Sequence, residues 1–170
     1  MAEKQSIKLQ MDITPEIRAL FQRLNEMDTE SKTVLKQQVK GIAGWVAEDI
    51  KTAATYAPMY TQATRVAQTT RANKDRVPNI TIGGARAKFS GEASAGDLVI
   101  GSEFGADPTS ENGAFPNGGR RFPYRSPKRG QGNEGYWIFP TLRLAQPRIT
   151  REWHEAVDNV LDNWIKGVSA

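Results

Sequence analysis

The chain has 170 residues, 38% of them hydrophobic and 25% charged, with a net charge of +4 and no cysteine. That length suits one domain, residues 1–170, with a real core, and the lack of cysteine excludes disulfide staples and thiolate chemistry together. No apolar run approaches the ~18 residues of a bilayer span and Met1–Lys4 starts no signal peptide, so a soluble chain of intracellular origin with no membrane partner is expected.

Residues 1–28 predict a strand and a short helix. Ile7, Leu9, Met11 and Ile13 alternate with polar residues, the period of a strand with one buried face. Thr14-Pro15 follows, a hydroxyl cap with proline at the first helical position, and Ile17, Leu20, Phe21 and Leu24 mark a helical face running to about Met27. Asp28-Thr29 caps a longer helix, in which Val34, Leu35, Val39, Ile42, Val46, Ile50 and Ala53 form one apolar stripe. Gly41 and Gly44 inside it each cost about 1 kcal/mol against alanine, which implies close packing against a neighbouring element. Pro58 ends the helix, because the residue before proline is pushed out of the α region. From Met59 to Arg76 a weak helix and a mobile linker fit equally.

Pro78–Gly83 alternates as a short strand closed by Gly83-Gly84. Lys88–Gly91 suggests a partial strand, and Asp97–Gly101 the clearest core strand. Ala106–Glu134 then holds five glycines and four prolines in 29 residues, with almost no aliphatic side chains, a composition that cannot offset its own ordering entropy. Its basic residues Arg120, Arg121, Arg125, Lys128 and Arg129 fall within ten positions, interleaved with Phe122 and Tyr124 and following Phe115. A flexible basic loop is expected over 106–134. Gly135–Pro140 predicts an aromatic strand, with Pro140 at its end or on an edge. The last helix is expected to open at Gln146-Pro147 and close at Gly167, with Ile149, Trp153, Ala156, Val157, Val160, Leu161 and Trp164 as its apolar stripe. The whole predicts an α+β fold. A small antiparallel sheet packs against a long N-terminal helix and a C-terminal helix, with the long loop inserted between two strands.

No set of residues in the chain suggests catalysis. A single histidine, His154, sits between Trp153 and Glu155 and supplies neither a catalytic pair nor a zinc site. The carboxylates Glu48, Asp49, Asp158 and Asp162 fall on helix surfaces, and no phosphate-binding glycine motif follows a strand. The expectation is therefore no catalytic residues, no metal, no cofactor and no enzyme. Glu103 stands apart. Its carboxylate suits backbone N–H groups of a following turn, or Arg143, or a salt bridge to an adjacent subunit. The basic loop allows two readings. Arg and Lys can neutralise phosphates while Phe and Tyr stack on bases, as in single-strand binding, or the arginines keep a flexible segment soluble and dock it on an acidic partner.

The chain's order of motifs resembles a known family. A long helix ends in Ala57-Pro58, a strand ends Ile82-Gly83-Gly84, and FSGEASAGDLVIGSEFG runs from Phe89 to Gly105. After the insertion come GYWIFPTLR, Gly135 to Arg143, and a helix with Trp153, Val157 and Trp164. This is similar to the tail-completion or head–tail joining proteins of the neck of long-tailed bacteriophages, over Ala53 to Trp164. The resemblance implies a structural role in the virion neck or tail, assembled in the host cytoplasm. It implies a homo-oligomer, a six-fold ring, contacting neck proteins on the connector side and tail-tube proteins, with sequence-independent contact to DNA in the lumen. The long insertion and the extra N-terminal strand and helix depart from shorter members, and leave a tail terminator, a joining ring and a connector-side stopper as alternative positions. On this reading Glu103, Phe104 and Gly105 fix the exit of the loop and Trp137, Phe139 and Pro140 its return. Arg120, Arg121, Arg125, Lys128 and Arg129 then make contacts beyond the subunit. A nucleic-acid-binding module that uses the basic loop is the alternative from another class.

Overall fold

The computed structural model of the chain describes residues 7–9, 22, 25–58, 60–84, 94–105 and 134–168. Its elements, in order, are β1 (Ile7–Leu9), α1 (Thr29–Thr55), α2 (Tyr60–Ala67), β2 (Arg71–Ala72), β3 (Ile80–Ile82), α3 (Ala95–Phe104) and α4 (Ile138–Val168). The fold is α+β. The three strands form one antiparallel sheet with β3 in the middle; Ile7 pairs with Ile82 and Leu9 with Ile80 on one side, Arg71 with Thr81 on the other.

The long helix forms where its stripe predicts. Asp28 caps α1, accepting the Ser31 N–H at 2.8 Å, and Leu35, Val39, Ile42, Val46 and Ile50 are buried along one face. That face feeds two clusters. Near the N-terminal end of α1, Leu35, Val39 and Ile42 meet Trp153, Val157 and Val160 of α4. Toward its C-terminal end, Val46 and Ile50 join Val66 of α2, Ile80 and Ile82 of β3, Val99 of α3, and Trp137 and Ile138. The second cluster is where sheet, helices and the residues flanking the 106–134 insertion converge. Residues 59–76 carry a real helix, α2, whose Ala63, Val66 and Ala67 are buried. Close behind it, Thr69 Oγ1 accepts the Gly83 N–H at 2.9 Å. There Gly83 has φ +81°, and a Cβ would stand 3.1 Å from the Cα of Gly96, so the sheet and α3 approach through two glycines.

Five expectations are corrected. The Asp97–Gly101 core strand is the middle of helix α3. Ser94 and Asp97 form a reciprocal capping box, and a short apolar run buried on more than one side has no periodicity to separate strand from helix. The Gly135–Pro140 strand is a two-residue bend entering α4, which starts at Ile138 rather than Gln146 and runs through Gly167. The insertion therefore joins two helices, not two strands. Pro147 lies inside α4 on an exposed position, where water can serve the carbonyl of Arg143 that proline leaves without its helical donor. Finally, a Cβ at Gly41 or Gly44 would meet nothing within 4 Å, so no described element packs closely there. The expected strand continuation over 10–13, most of the 14–27 helix and the partial strand at 88–91 lie outside the described residues, although Gln22, Asn25 and Glu26 are helical.

Candidate functional site

The two motifs that bracket the insertion are the two halves of one clamp. α3 is short and buried, and its residues Ala95, Val99, Ser102 and Glu103 face the core. The capping box at its start fixes its register: the Ser94 side chain accepts the Asp97 N–H at 3.4 Å, and the Asp97 carboxylate accepts the Ser94 N–H at 2.7 Å. That register brings Glu103, in the last turn, to a position of 0% exposure beneath the start of α4.

The Glu103 carboxylate there accepts three backbone N–H groups. Oε2 takes those of Trp137 at 3.1 Å and Ile138 at 2.8 Å, and Oε1 takes that of Phe139 at 2.9 Å. The backbone carbonyl of Glu103 also accepts the Tyr136 N–H at 2.9 Å. The first four N–H positions of any α-helix lack intrahelical partners. In α4 these are Trp137, Ile138, Phe139 and Pro140. Glu103 serves the first three, and proline has no N–H to serve. One acid and one imino acid, 37 positions apart, thus account for every orphan donor at this helix start. The positive end of the helix dipole further favours a carboxylate here. Removal from water is nevertheless the larger influence. Burial pushes the Glu103 carboxyl above its ordinary value, against the pull of the N–H groups of Ile138, Phe139, Trp137 and Tyr136.

The rest of the clamp is packing. The Trp137 indole is buried and donates Nε1–H to the Ser102 carbonyl at 3.2 Å, and Thr141 Oγ1 donates to the Trp137 carbonyl at 2.6 Å. The rings of Phe104 and Phe139 stack tilted with centroids 5.4 Å apart. Gly105 ends α3 with φ +76°. Gly135 has φ +82°, and a Cβ there would stand 2.9 Å from Cδ of Glu103 and 3.1 Å from Cβ of Phe139, so only glycine passes over the carboxylate. On the outer side Arg143 donates to the Glu134 carbonyl at 2.6 Å and pairs with its carboxylate at 3.7 Å. Of the partners open to Glu103, the structure thus gives backbone N–H groups and assigns Arg143 to Glu134.

All six expected anchoring residues, Glu103, Phe104, Gly105, Trp137, Phe139 and Pro140, meet in this clamp. Arg120, Arg121, Arg125, Lys128 and Arg129 lie outside the described residues. His154 is exposed on α4, its ring 5.3 Å from that of Trp153. Among the described residues no group of three or more His, Asp or Glu could hold a metal ion, and no helix is long and apolar enough to cross a membrane. Sequence reasoning missed Ser94, Asp97 and Gly135. The Ser94-x-x-Asp97 spacing carries a capping signal, and a glycine directly before an aromatic run marks a special backbone position. Comparison of the chain with protein-family models, with curated proteins and with solved structures finds no match.

Proposed function

We propose that the chain is a structural component of a bacteriophage neck, a tail-completion or head–tail joining protein that forms a ring between the DNA-filled head and the tail. The observation that carries this reading is the clamp. The two motifs on which the family resemblance rests, Gly101–Gly105 and Gly135–Arg143, are far apart in sequence yet share one buried carboxylate. Their joint purpose is to hold together the ends of a 29-residue basic and aromatic segment, 106–134. A body that spends its best-buried charge on fixing the base of an insertion is organised to present that insertion to other molecules. In a ring, the arginines would meet a neighbouring subunit, the adjoining tail-tube or connector ring, or the phosphates of passing DNA, where contacts are sequence-independent. No step of this role needs a catalytic group. A tail terminator capping the tube uses the same features and remains the nearest variant.

Deleting the gene from a phage that carries it tests the reading. Filled heads and separate tails should accumulate, and the protein should map to the neck of complete particles. Normal virions without the protein would sink the idea.

The density of arginines beside Phe122 and Tyr124 favours a second reading, a nucleic-acid-binding module with the insertion as its primary site. That reading requires tight, strongly salt-dependent binding by the isolated chain. Four phosphate contacts contribute a log–log slope of about −3.6 on duplex DNA, which a titration at two salt concentrations would reveal. Weak binding by the free protein favours the ring component.

A further inference from the structure

Beside the clamp, the N-terminal turns of α4 and the C-terminal half of α1 enclose an open groove of about 350 Å³. Trp45, Asp49 and Thr52 of α1 and Tyr56 just past its end line one side, Leu144 and Arg148 of α4 the other. Tyr56 is 86% exposed and Leu144 85%. Of the large hydrophobic side chains described as exposed, these two are the most open to water, and both belong to this one groove. A single exposed leucine is ordinary; two exposed anchors beside a half-buried tryptophan form a patch that asks for cover.

The charges of the groove say what kind of cover. Its cation is already engaged: Arg148 pairs with Glu152 at 2.6 Å and lies 4.0 Å from the Trp45 ring centroid. Glu152 also accepts the Trp45 indole N–H at 2.8 Å, so this triad is closed on itself. Asp49 forms no ion pair among the described residues. The groove thus offers aromatic and aliphatic surface with one unneutralised carboxylate, and suits a segment bearing aromatic or proline rings next to arginine or lysine. The densest stretch of that composition in this chain is Phe122-Pro123-Tyr124-Arg125-Ser126-Pro127-Lys128-Arg129 within the insertion.

We propose that this groove is the seat for a second copy of the chain, which docks there through the basic, aromatic part of its insertion. Donor segment and acceptor groove are different surfaces, so the contact is head-to-tail. Contacts of that kind close into rings where the rotation closes and run on as open filaments where it does not, whereas a self-complementary patch gives a two-fold dimer. The inference gives the proposed ring its subunit contact and rests on that reading for its geometry, but it has its own readout in solution.

The test uses the full-length protein and two surface variants. One carries Asp49→Lys, Tyr56→Ala and Leu144→Ser in the groove. The other replaces Arg120, Arg121, Arg125, Lys128 and Arg129 by serine. Circular dichroism and thermal unfolding confirm that both stay folded, since the groove changes fall on exposed or groove-lining positions. In sedimentation velocity at low salt the wild type should self-associate, and each variant alone should do so roughly tenfold or more weakly, as expected for losing interface hot spots. An equimolar mixture of the two should regain a one-to-one complex, because one partner keeps an intact donor and the other an intact groove. A wild type that stays monomeric, a groove variant that assembles like wild type, or a mixture that gains nothing would overturn the proposal. Complementation by a protein found nowhere in the virion neck would instead leave the docking intact and refute the functional reading.

Discussion

Replacing Glu103 tests the clamp most directly, because its geometry separates the two obvious variants. Glu103→Ala leaves the N–H groups of Trp137, Ile138 and Phe139 buried without an acceptor, at about 1–3 kcal/mol each. Releasing the carboxylate from burial returns part of that, so a net loss of about 3–5 kcal/mol is expected, a large share of the roughly 5–15 kcal/mol that holds a domain together. Glu103→Gln keeps one oxygen able to accept from Trp137 and Ile138 but turns its NH₂ toward the Phe139 N–H, donor against donor. Its loss should be smaller, about 1–3 kcal/mol. The pH dependence carries a sign. Burial raises the folded-state value of Glu103 above its unfolded one, so this group's contribution is fully present below the unfolded value and fades as pH rises through the folded one. The remaining lone pair of Oε1 gives the proton a place without displacing the three donors. The lead of wild type over Glu103→Gln should therefore be widest in acid and narrow toward neutrality. Urea unfolding followed by tryptophan fluorescence at several pH values reads all three quantities. Midpoints for both variants within about 0.5 kcal/mol of wild type, the range of ordinary surface changes, would refute the reasoning.

Gly135→Ala forces a side chain into the left-handed region, at about 1–2 kcal/mol, and also displaces the Glu103 carboxylate; the combined loss should rival that of Glu103→Ala in the same unfolding assay. Ser94→Ala removes half of the α3 capping box, for about 1 kcal/mol. The Ser94 hydroxyl is also the first cause holding the Asp97 carboxyl below its ordinary value, so the wild type's stability from that group, present above the unfolded value and lost as pH falls through the folded one, should be reduced in the variant's acid-unfolding curve. Gly41→Ala and Gly44→Ala should each stabilise by about 1 kcal/mol, raising the melting temperature by about 2–4 °C for a chain of this size; a drop would show that a neighbour approaches this face of α1. Replacing the 28 residues 106–133 by seven of glycine and serine shortens the closed loop fourfold, which should raise stability by about 1.2 kcal/mol while abolishing assembly; an unfolded product would show that the insertion is part of the core.

The legible parts of the fold were those with a clear period and a cap. The α1 stripe beneath Asp28 and the α4 stripe from Ile149 to Trp164 lie where their spacing places them, because a long amphipathic helix repeats its signal over many turns. Both flanks of the insertion were misassigned, and for one reason. Leu98-Val99-Ile100 and Tyr136-Trp137-Ile138-Phe139 are β-branched and aromatic runs whose local preference is extended. Tertiary contact overrides that preference twice: the capping box winds the first run into α3, and the buried end of α3 supplies the acceptor that starts α4 at the second. A helix start whose cap comes from a residue 34 positions earlier leaves no local mark. By contrast, which residues come together at the base of the insertion was visible before their structure was. Glu103, Gly105, Trp137 and Pro140 were expected to bracket the insertion, and that placement does not depend on whether the flanks are strands or helices.

The change from strands to helices alters what the bracket can do. Two strands leaving a sheet would be held by ladder bonds spread along their length, and could fray from the open end one pair at a time. Two helix termini meeting at one carboxylate have no such graded route, since Trp137, Ile138 and Phe139 all lose their acceptor together when Glu103 moves. Replacing a buried charge by apolar groups is often neutral or stabilising when its partners are replaced too, but backbone N–H groups cannot be replaced. Among the residue types, only the proline at position 140 removes a donor, and the chain already uses it. Glu103 therefore joins α3 to α4 through three donors that no apolar substitution can dispense with. It makes the base of the insertion a single joint on which three hydrogen bonds depend at once.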